Sequence, residues 1–204
     1  MHPNPAFRNE PLDRNLSFAR ERGFGVLAVS MDGPPLMAHV PFLLAEDGKS
    51  AELHLVRSNP IVAAMSEPRL AQLAVSGPDS YVSPDWYGLP DQVPTWNYVA
   101  VHLTGRLVRL EQAALRGILD RLSQHFETRL APKPAWTADK MEPDALARLM
   151  RMIVPCRLEI EDVAGTWKLG QNKPAEARVA AADALEAVDI GADAASLARL
   201  MRKS

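Results

Sequence analysis

Gly77–Arg106 reads GPDSYVSPDWYGLPDQVPTWNYVAVHLTGR, and it contains two of the chain's four tryptophans and all three of its tyrosines. Tyr and Trp combine a flat apolar ring with one hydrogen-bond donor, so they suit a half-open site better than a closed core. Gly77-Pro78 predicts a turn, Ser80–Ser83 a short extended piece, and Trp96 the start of a long strand. Prolines stiffen the loop before that strand. The stretch therefore predicts a preformed wall for a flat ligand.

The segments outward from this stretch predict antiparallel strands joined by tight turns, such as Asp47-Gly48. The expected strands lie at 24–31, 36–44, 51–56, 70–76, 96–110 and 157–167. Gly105 interrupts the long strand, where a bulge or a sharp bend would help to close a barrel. The pattern is typical of a mainly β, α+β fold, a small barrel of six antiparallel strands with peripheral helices.

Helical periodicity fills most of the remaining chain. The expected helices lie at 14–22, 61–66, 111–130, 144–151, 175–187 and 194–203. The last two have mostly alanine on their apolar faces, so we expect them to bury little area and to be mobile or partner-dependent. The sequence thus predicts a barrel domain at 1–173 with a helical insertion at about 111–151, and an alanine-rich helical appendage at 174–204.

The composition limits which binding partners and which cellular compartment we expect. The chain has 204 residues and a net charge of −2, so no global basic field favours nucleic acid. The single cysteine, Cys156, cannot form an internal disulfide, which fits a reducing cytoplasm. No apolar run approaches the ~20 residues of a membrane span, and the N-terminus lacks an apolar signal core. We therefore expect a cytoplasmic protein without a membrane partner.

Arg57-Ser58-Asn59-Pro60 combines the groups that bind a phosphate. Arg57 offers a rigid cationic fork, Ser58 and Asn59 offer short polar side chains, and Pro60 opens a helix whose first N–H groups are free. An ordinary helix cap beside a solvated arginine would produce the same pattern, so the spacing alone leaves both interpretations open. Neither a GxGxxG motif nor a P-loop lysine motif is present.

Other residues that could carry chemistry are isolated. His39, His54 and His102 each occupy one position of a predicted strand, where a lone histidine is more often structural than a ligand. No short-spaced His/Cys set supplies three or four zinc ligands, so no metal site is predicted. Cys156 begins an apolar strand, where we expect an inert thiol. Catalytic residues stay unassigned.

Five motifs in order resemble the PaiB family of FMN-binding split-barrel proteins, which are often named negative transcriptional regulators. They are HVP at 39–41, HLVRSNP at 54–60, YVSPDWY at 81–87, VPTWNYVAVHLTGR at 93–106 and WKLGQNK at 167–173. The resemblance extends to about Asn172. It implies a split barrel that forms a homodimer, with FMN in grooves between the protomers.

The resemblance also implies which residues contact FMN. The phosphate would lie at Arg57, Ser58 and Asn59. The remaining implied contacts line the flavin or the partner protomer's pocket: His39, His54, Tyr81, Ser83, Thr95, Trp96, Asn97, Lys168, Gln171 and Asn172. The aromatic members could instead anchor a dimer interface, which enriches the same residue types. The two histidines could instead bind a metal or haem, and Lys173 is expected to be solvated.

These implications favour an FMN-binding regulator of the PaiB type. DNA binding stays open, because no helix-turn-helix is visible and the basic residues are dispersed. One alternative is a flavin-dependent oxidoreductase of the pyridoxamine-phosphate-oxidase-like class, since flavin brings its own redox chemistry and needs few catalytic side chains. Another is a haem-binding split barrel.

Overall fold

The strands of this protein form one antiparallel closed barrel in the computed structural model, which describes residues 1–188 and 190–204. They are β1 (Phe24–Val29), β2 (Leu36–Leu44), β3 (Ser50–Val56), β4 (Arg69–Val82), β5 (Thr95–Arg109) and β6 (Ile153–Lys168). The order around the barrel is β1-β2-β3-β6-β5-β4, and β4 pairs back to β1. The predicted fold class, a six-stranded antiparallel barrel with peripheral helices, is confirmed.

Alternation of side chains along the strands places the core inside the barrel. β2 buries Val40, Phe42 and Leu44 and turns the residues between them outward. β5 follows the same two-residue period, so Val101 and Leu103 are fully buried. This two-residue period can be recognised in the sequence, because successive side chains of a strand point to opposite faces of the sheet.

The prediction of a turn at Gly77-Pro78 is wrong, because β4 continues through both residues to Val82. Pro78 cannot donate a hydrogen bond, which usually marks a strand end or an edge. The next residue, Asp79, forms an isolated antiparallel bridge with Ala192, and their backbones exchange hydrogen bonds of 2.9 and 3.0 Å. A partner so distant in sequence keeps the segment extended, and no local pattern indicates such a partner.

Every predicted helix is present; the bounds of the last one agree with the prediction, and the others are shifted at one or both ends. The helices are α1 (Leu12–Arg22), α2 (Pro60–Ala64), α3 (Leu115–Glu127), α4 (Pro143–Met150), α5 (Ala175–Glu186) and α6 (Ala194–Lys203). Tighter 3-10 turns, Gln112–Ala114 and Thr128–Leu130, flank α3, so the helix predicted at 111–130 is regular only in its middle. Among the described residues, no helix is both long and apolar enough to span a bilayer.

Gly105 lies inside β5, where β6 approaches the strand very closely. A Cβ at this position would overlap the Glu159 carbonyl oxygen and would lie 3.0 Å from Ile160 Cα. The strand continues through Gly105 to Arg109. The glycine is therefore required for the close approach of two backbones, which is one reason for glycine inside a strand.

Backbone contacts divide the chain into two compact units. Unit 1 comprises Met1–Asn15, Val75–His102 and Ala164–Ser204, and unit 2 comprises Leu16–Ala74 and Leu103–Val163. The linear boundary expected at 173 stays a prediction.

The C-terminal helices pack within unit 1, so the expectation that they bury little area is wrong. Leu185 of α5 and Leu197 and Met201 of α6 are fully buried, as are several of the alanines. Arg178 Nε also donates to the Met201 carbonyl oxygen at 2.8 Å. Alanine removes little area by itself, but its small size allows two helices to approach closely and enclose the few large side chains between them.

Candidate functional site

Arg57, the predicted phosphate ligand in unit 2, is held by neutral acceptors. Its Nε donates to the Arg151 carbonyl oxygen at 2.7 Å. Its Nη2 donates to the Gln112 side-chain oxygen at 3.0 Å and to the Ile153 carbonyl oxygen at 3.3 Å. Among the described residues, no carboxylate lies within 4.0 Å of this guanidinium, and no group accepts a hydrogen bond from Nη1. The side chain is thus oriented while its charge and one nitrogen remain available.

Asn59 and Ser58 complete this loop. The Asn59 side-chain oxygen accepts a hydrogen bond of 2.9 Å from the Ile61 backbone N–H and so caps α2. Ser58 is exposed. Because α2 has only five residues, its dipole contributes little, and the cationic fork is the main attraction for an anion in this loop.

The two predicted histidine contacts of unit 2 differ in environment. His39 is exposed on β2, and its ring stacks on Phe24 with centroids 6.4 Å apart. His54 is half-buried on β3, its Nδ1 is buried, and no described group pairs with that atom. Burial lowers the pKa of His54 below its ordinary 6.5, so the neutral ring is favoured.

Unit 1 holds the aromatic group. The Tyr81 and Trp86 rings meet edge to face with centroids 6.5 Å apart, and both are half-buried. Trp96, at the start of β5, keeps 47% of its surface exposed. Ser83 precedes the 3-10 turn Pro84–Tyr87, and its hydroxyl does not cap that turn. The ligand wall expected from these aromatic residues stays a prediction.

Asn97, a predicted flavin contact, is instead part of the interior of unit 1. Its side chain is only 1% exposed, and its amide nitrogen donates to Met201 Sδ at 3.5 Å. Asn97 also makes a hydrogen bond with Tyr87. Burial raises the pKa of Tyr87 above its usual value, and this hydrogen bond partly offsets the increase. The amide is therefore committed to the packing of α6 against β5.

The loop of the WKLGQNK motif is closed by Gln171. The Gln171 side-chain oxygen accepts from the Leu169 backbone N–H at 2.8 Å, and its nitrogen donates to the carbonyl oxygens of Trp167 and Ala6 at 2.6 and 3.2 Å. This amide already uses its bonding capacity within the loop. Asn172 is exposed.

The two lysines of this loop contact other segments of unit 1. Lys168 Nζ donates to Thr95 Oγ1, and Lys173 Nζ donates to the Gln92 side-chain oxygen. Lys173 Nζ also lies 5.5 Å from the centre of the Tyr87 ring. Lys168 and Thr95, which the resemblance implies as FMN contacts, are thus neighbours in the structure.

Sequence reasoning missed several of these partners. Gln112 orients Arg57 and also donates to the Met150 and Ile153 carbonyl oxygens at 3.0 and 3.2 Å. Its position just after a strand gives no sign of this role. Lys173 was expected to be solvated, yet it is half-buried beside Gln92. Its presence in a motif with Lys168 was the available signal.

The described part of the chain has neither a metal-binding cluster nor a reactive cysteine. No cluster of three or more His, Cys, Asp or Glu residues capable of holding a metal ion occurs at positions 1–188 and 190–204. Cys156 is fully buried in β6, and burial raises the pKa of its thiol to about 12. The expectation of an inert thiol agrees with this environment, because the thiolate is the reactive form.

Comparison with known proteins identifies the family. Residues 1–162 match the family profile described as "Putative FMN-binding domain". The chain is also 30% identical over 159 residues to the Protease synthase and sporulation protein PAI 2 of Bacillus subtilis (strain 168), covering 77% of this chain and 75% of that protein. The chain belongs to the PaiB family of FMN-binding domains.

Solved structures share the fold of this PaiB-family chain. The FAD and heme binding protein from Mycobacterium smegmatis matches with a TM-score of 0.58 and 19% identity, covering 91% of this chain and 82% of that one. The flavocytochrome Anf3 from Azotobacter vinelandii matches with a TM-score of 0.56 and 16% identity, covering 82% and 72%. At these identities the likeness shows the fold alone.

Proposed function

We propose that this chain binds FMN through its phosphate at Arg57, Ser58 and Asn59, and that it acts as a flavin-dependent negative regulator of transcription. The observation that carries the proposal is the oriented guanidinium of Arg57, which lacks a carboxylate partner among the described residues and keeps Nη1 available. Because the chain belongs to an FMN-binding family, we assign the phosphate of FMN as the ligand of this cation.

The residues present fit a phosphomonoester. Nη1 of Arg57 can donate two hydrogen bonds to phosphate oxygens, and the exposed Ser58 hydroxyl can donate another. Asn59 acts mainly as the cap that shapes the loop, with its amide nitrogen left to donate. When bound, FMN supplies the capacity to accept and donate electrons at its ring.

Several of the residues that the resemblance implies as flavin contacts remain accessible in unit 1. Trp96 offers an exposed indole face, and Tyr81, Ser83 and Thr95 are half-buried. Ring faces need apolar contacts and ring edges need a few polar groups, which these residue types supply. Asn97 and Gln171 are better explained as structural amides, and His39, His54, Lys168 and Asn172 stay predicted contacts.

A homodimer is part of the proposal, supported by an apolar outer face in unit 2. On this face Ala28 of β1 lies opposite Met37 of β2 and Gln72 of β4, and Val26 lies opposite His39 and Ala74. Phe24, Met37 and Leu70 are 47%, 62% and 46% exposed, and none of these residues carries a permanent charge. A contiguous apolar face of this kind is typical of a subunit interface.

Titration of the purified full chain with FMN and with riboflavin tests the phosphate site. Arg57→Ala should weaken FMN affinity about tenfold to a hundredfold, because it removes a charge-assisted hydrogen-bond pair. Riboflavin lacks the phosphate, so its affinity should be unchanged in the variant. Arg148→Ala, at another exposed arginine, is the matched control. Equal FMN affinity in wild type and Arg57→Ala would show that the phosphate binds elsewhere.

The regulatory activity needs a separate test. A gel shift with upstream DNA, at a stated salt concentration and with oxidised or reduced FMN, should show binding that depends on the flavin state. Turnover of NAD(P)H with common acceptors, in the absence of any DNA binding, would favour the oxidoreductase alternative instead. A cytoplasmic location is part of the proposal, since the chain's lone cysteine cannot form an internal disulfide.

A further inference from the structure

A cavity of about 350 Å³ in unit 2 is lined by residues of α1 and of the C-terminal end of α3 with its following 3-10 turn. Its volume is at the small end of the ~300–1,000 Å³ that is typical of small-molecule sites. None of its residues belongs to the set that the resemblance implies as FMN contacts. The lining residues are Ser17, Arg20, Glu21, His125 and Arg129.

The two guanidinium groups of this cavity are oriented by neutral acceptors. Arg20 Nη2 donates to the Ala45 and Glu46 carbonyl oxygens at 3.1 and 3.3 Å. Arg129 Nη1 donates to the Glu21 carbonyl oxygen at 2.8 Å. Within the part of the chain that the structure describes, no carboxylate lies within 4.0 Å of either guanidinium. Each planar fork therefore keeps its charge and its other N–H donors for a ligand, and a carboxylate matches such a fork.

The carboxylate of Glu21 lines the same cavity and has no charged partner of its own. No cationic nitrogen at positions 1–188 or 190–204 lies within 4.0 Å of its oxygens. The cavity thus presents two positive charges and one negative charge, and none of the three is neutralised by a close ion pair. A ligand of complementary charge carries two carboxylates and one ammonium group.

His125 adds a polar group whose hydrogen bonding is incomplete. Its Nε2 is buried, and no described group pairs with that atom. The ring packs edge to face against Phe126 with centroids 5.0 Å apart, so an apolar contact positions it and leaves that nitrogen unused. A buried nitrogen without a partner costs free energy. Because His125 lines the cavity, a polar ligand bound there can supply the missing partner.

We propose that this cavity binds an acidic α-amino acid, with Arg20 and Arg129 holding its two carboxylates and Glu21 holding its ammonium group. Such a molecule carries the complementary charges on a short skeleton, which suits the small volume. Binding would bridge α1 and α3 and stabilise the folded chain. The site uses no residue assigned to FMN, and it does not rest on the proposed function.

Calorimetric titration of the full chain with L-glutamate tests the carboxylate contacts. Wild type should bind one glutamate, and Arg20→Gln/Arg129→Gln should bind it at least about tenfold more weakly. Arg22→Gln/Arg148→Gln removes the same charge at exposed positions outside the cavity and should bind within about twofold of wild type. Absence of glutamate binding by wild type, or an equal loss in the control variant, overturns the proposal.

Glutarate, which is glutamate without its ammonium group, tests the role of Glu21. Wild type should prefer glutamate by about tenfold, and Glu21→Gln should abolish this preference without weakening glutarate binding. Glu142→Gln, at an exposed glutamate outside the cavity, should keep the preference. A preference for glutamate that survives Glu21→Gln overturns the assignment of the ammonium contact.

A chemical measurement on the unmutated chain guards against a variant that fails to fold. Glutamate should protect Arg20 and Arg129 from modification by phenylglyoxal, as read by mass spectrometry, while Arg22 and Arg148 stay equally reactive. Equal labelling of all four arginines with and without glutamate overturns the proposal.

FMN and riboflavin titrations separate this cavity from the flavin site. Arg20→Gln/Arg129→Gln should leave the affinity for both flavins unchanged. If this variant weakens FMN and spares riboflavin, the cavity holds the phosphate of FMN, which overturns the amino-acid site and the placement at Arg57. If glutamate binds as expected but FMN does not bind at all, only the flavin proposal fails.

Discussion

At the residue scale, His54 shows how burial converts an ordinary side chain into a source of pH dependence. Its folded-state pKa lies below 6.5 because the half-buried ring loses hydration. Between the folded-state pKa and 6.5 the unfolded chain binds more protons, so acid favours unfolding. The stability that His54 contributes when neutral is present above about pH 6.5 and is lost as pH falls below it.

We therefore expect His54→Gln to flatten the acid limb of the stability profile. Urea unfolding of wild type and variant at about pH 7.5 and about pH 5.5 measures the difference, and the wild type should lose more stability between the two values. His39→Gln, at an exposed histidine, is the control. His102, whose pKa is also lowered by burial, should leave a residual slope in both variants. Parallel profiles for wild type and His54→Gln would contradict the assignment.

Two side-chain amides of unit 1 already have hydrogen-bond partners within the protein. Gln171 and Asn97 have the residue type that a flavin edge would need, yet the loop and α6 already use their hydrogen bonds. Residue type indicates which bonds a side chain can make. It does not indicate which bonds the fold has already formed.

At the element scale, the pairing of β5 with β6 depends on the absence of a side chain at Gly105. Gly105→Ala would push a methyl group into the backbone of Glu159 and Ile160, which cannot rotate away as a flexible side chain could. We expect a loss of about 3 kcal/mol or more in the free energy of unfolding, at the upper end of overpacking effects.

Denaturant unfolding monitored by circular dichroism measures this loss. Gly33→Ala is the matched control, because a Cβ at Gly33 would meet no atom within 4 Å, and its effect should stay within about 0.5 kcal/mol. A Gly105→Ala protein as stable as the control would mean that β6 can shift away from β5 without loss.

At the scale of the whole molecule, the apolar outer face predicts the oligomeric state. Met37 lies on that face and is 62% exposed, so Met37→Asp should leave the folded protomer intact and place a charge in the proposed interface. We expect sedimentation to show a dimer for wild type and a monomer for Met37→Asp. Met152→Asp, at a methionine 56% exposed outside this face, should remain dimeric. A monomeric wild type would remove the homodimer from the proposal.

The barrel strands, the helices and the family could all be predicted from local sequence patterns. Alternation with period two and local motifs are properties of neighbouring residues, so they can be recognised without a structure. Which polar groups are already paired depends on the tertiary structure. Lys168 and Thr95 are 73 positions apart, and Lys173 and Gln92 are 81 apart. Such pairings arise when the chain closes on itself, and no local pattern encodes them.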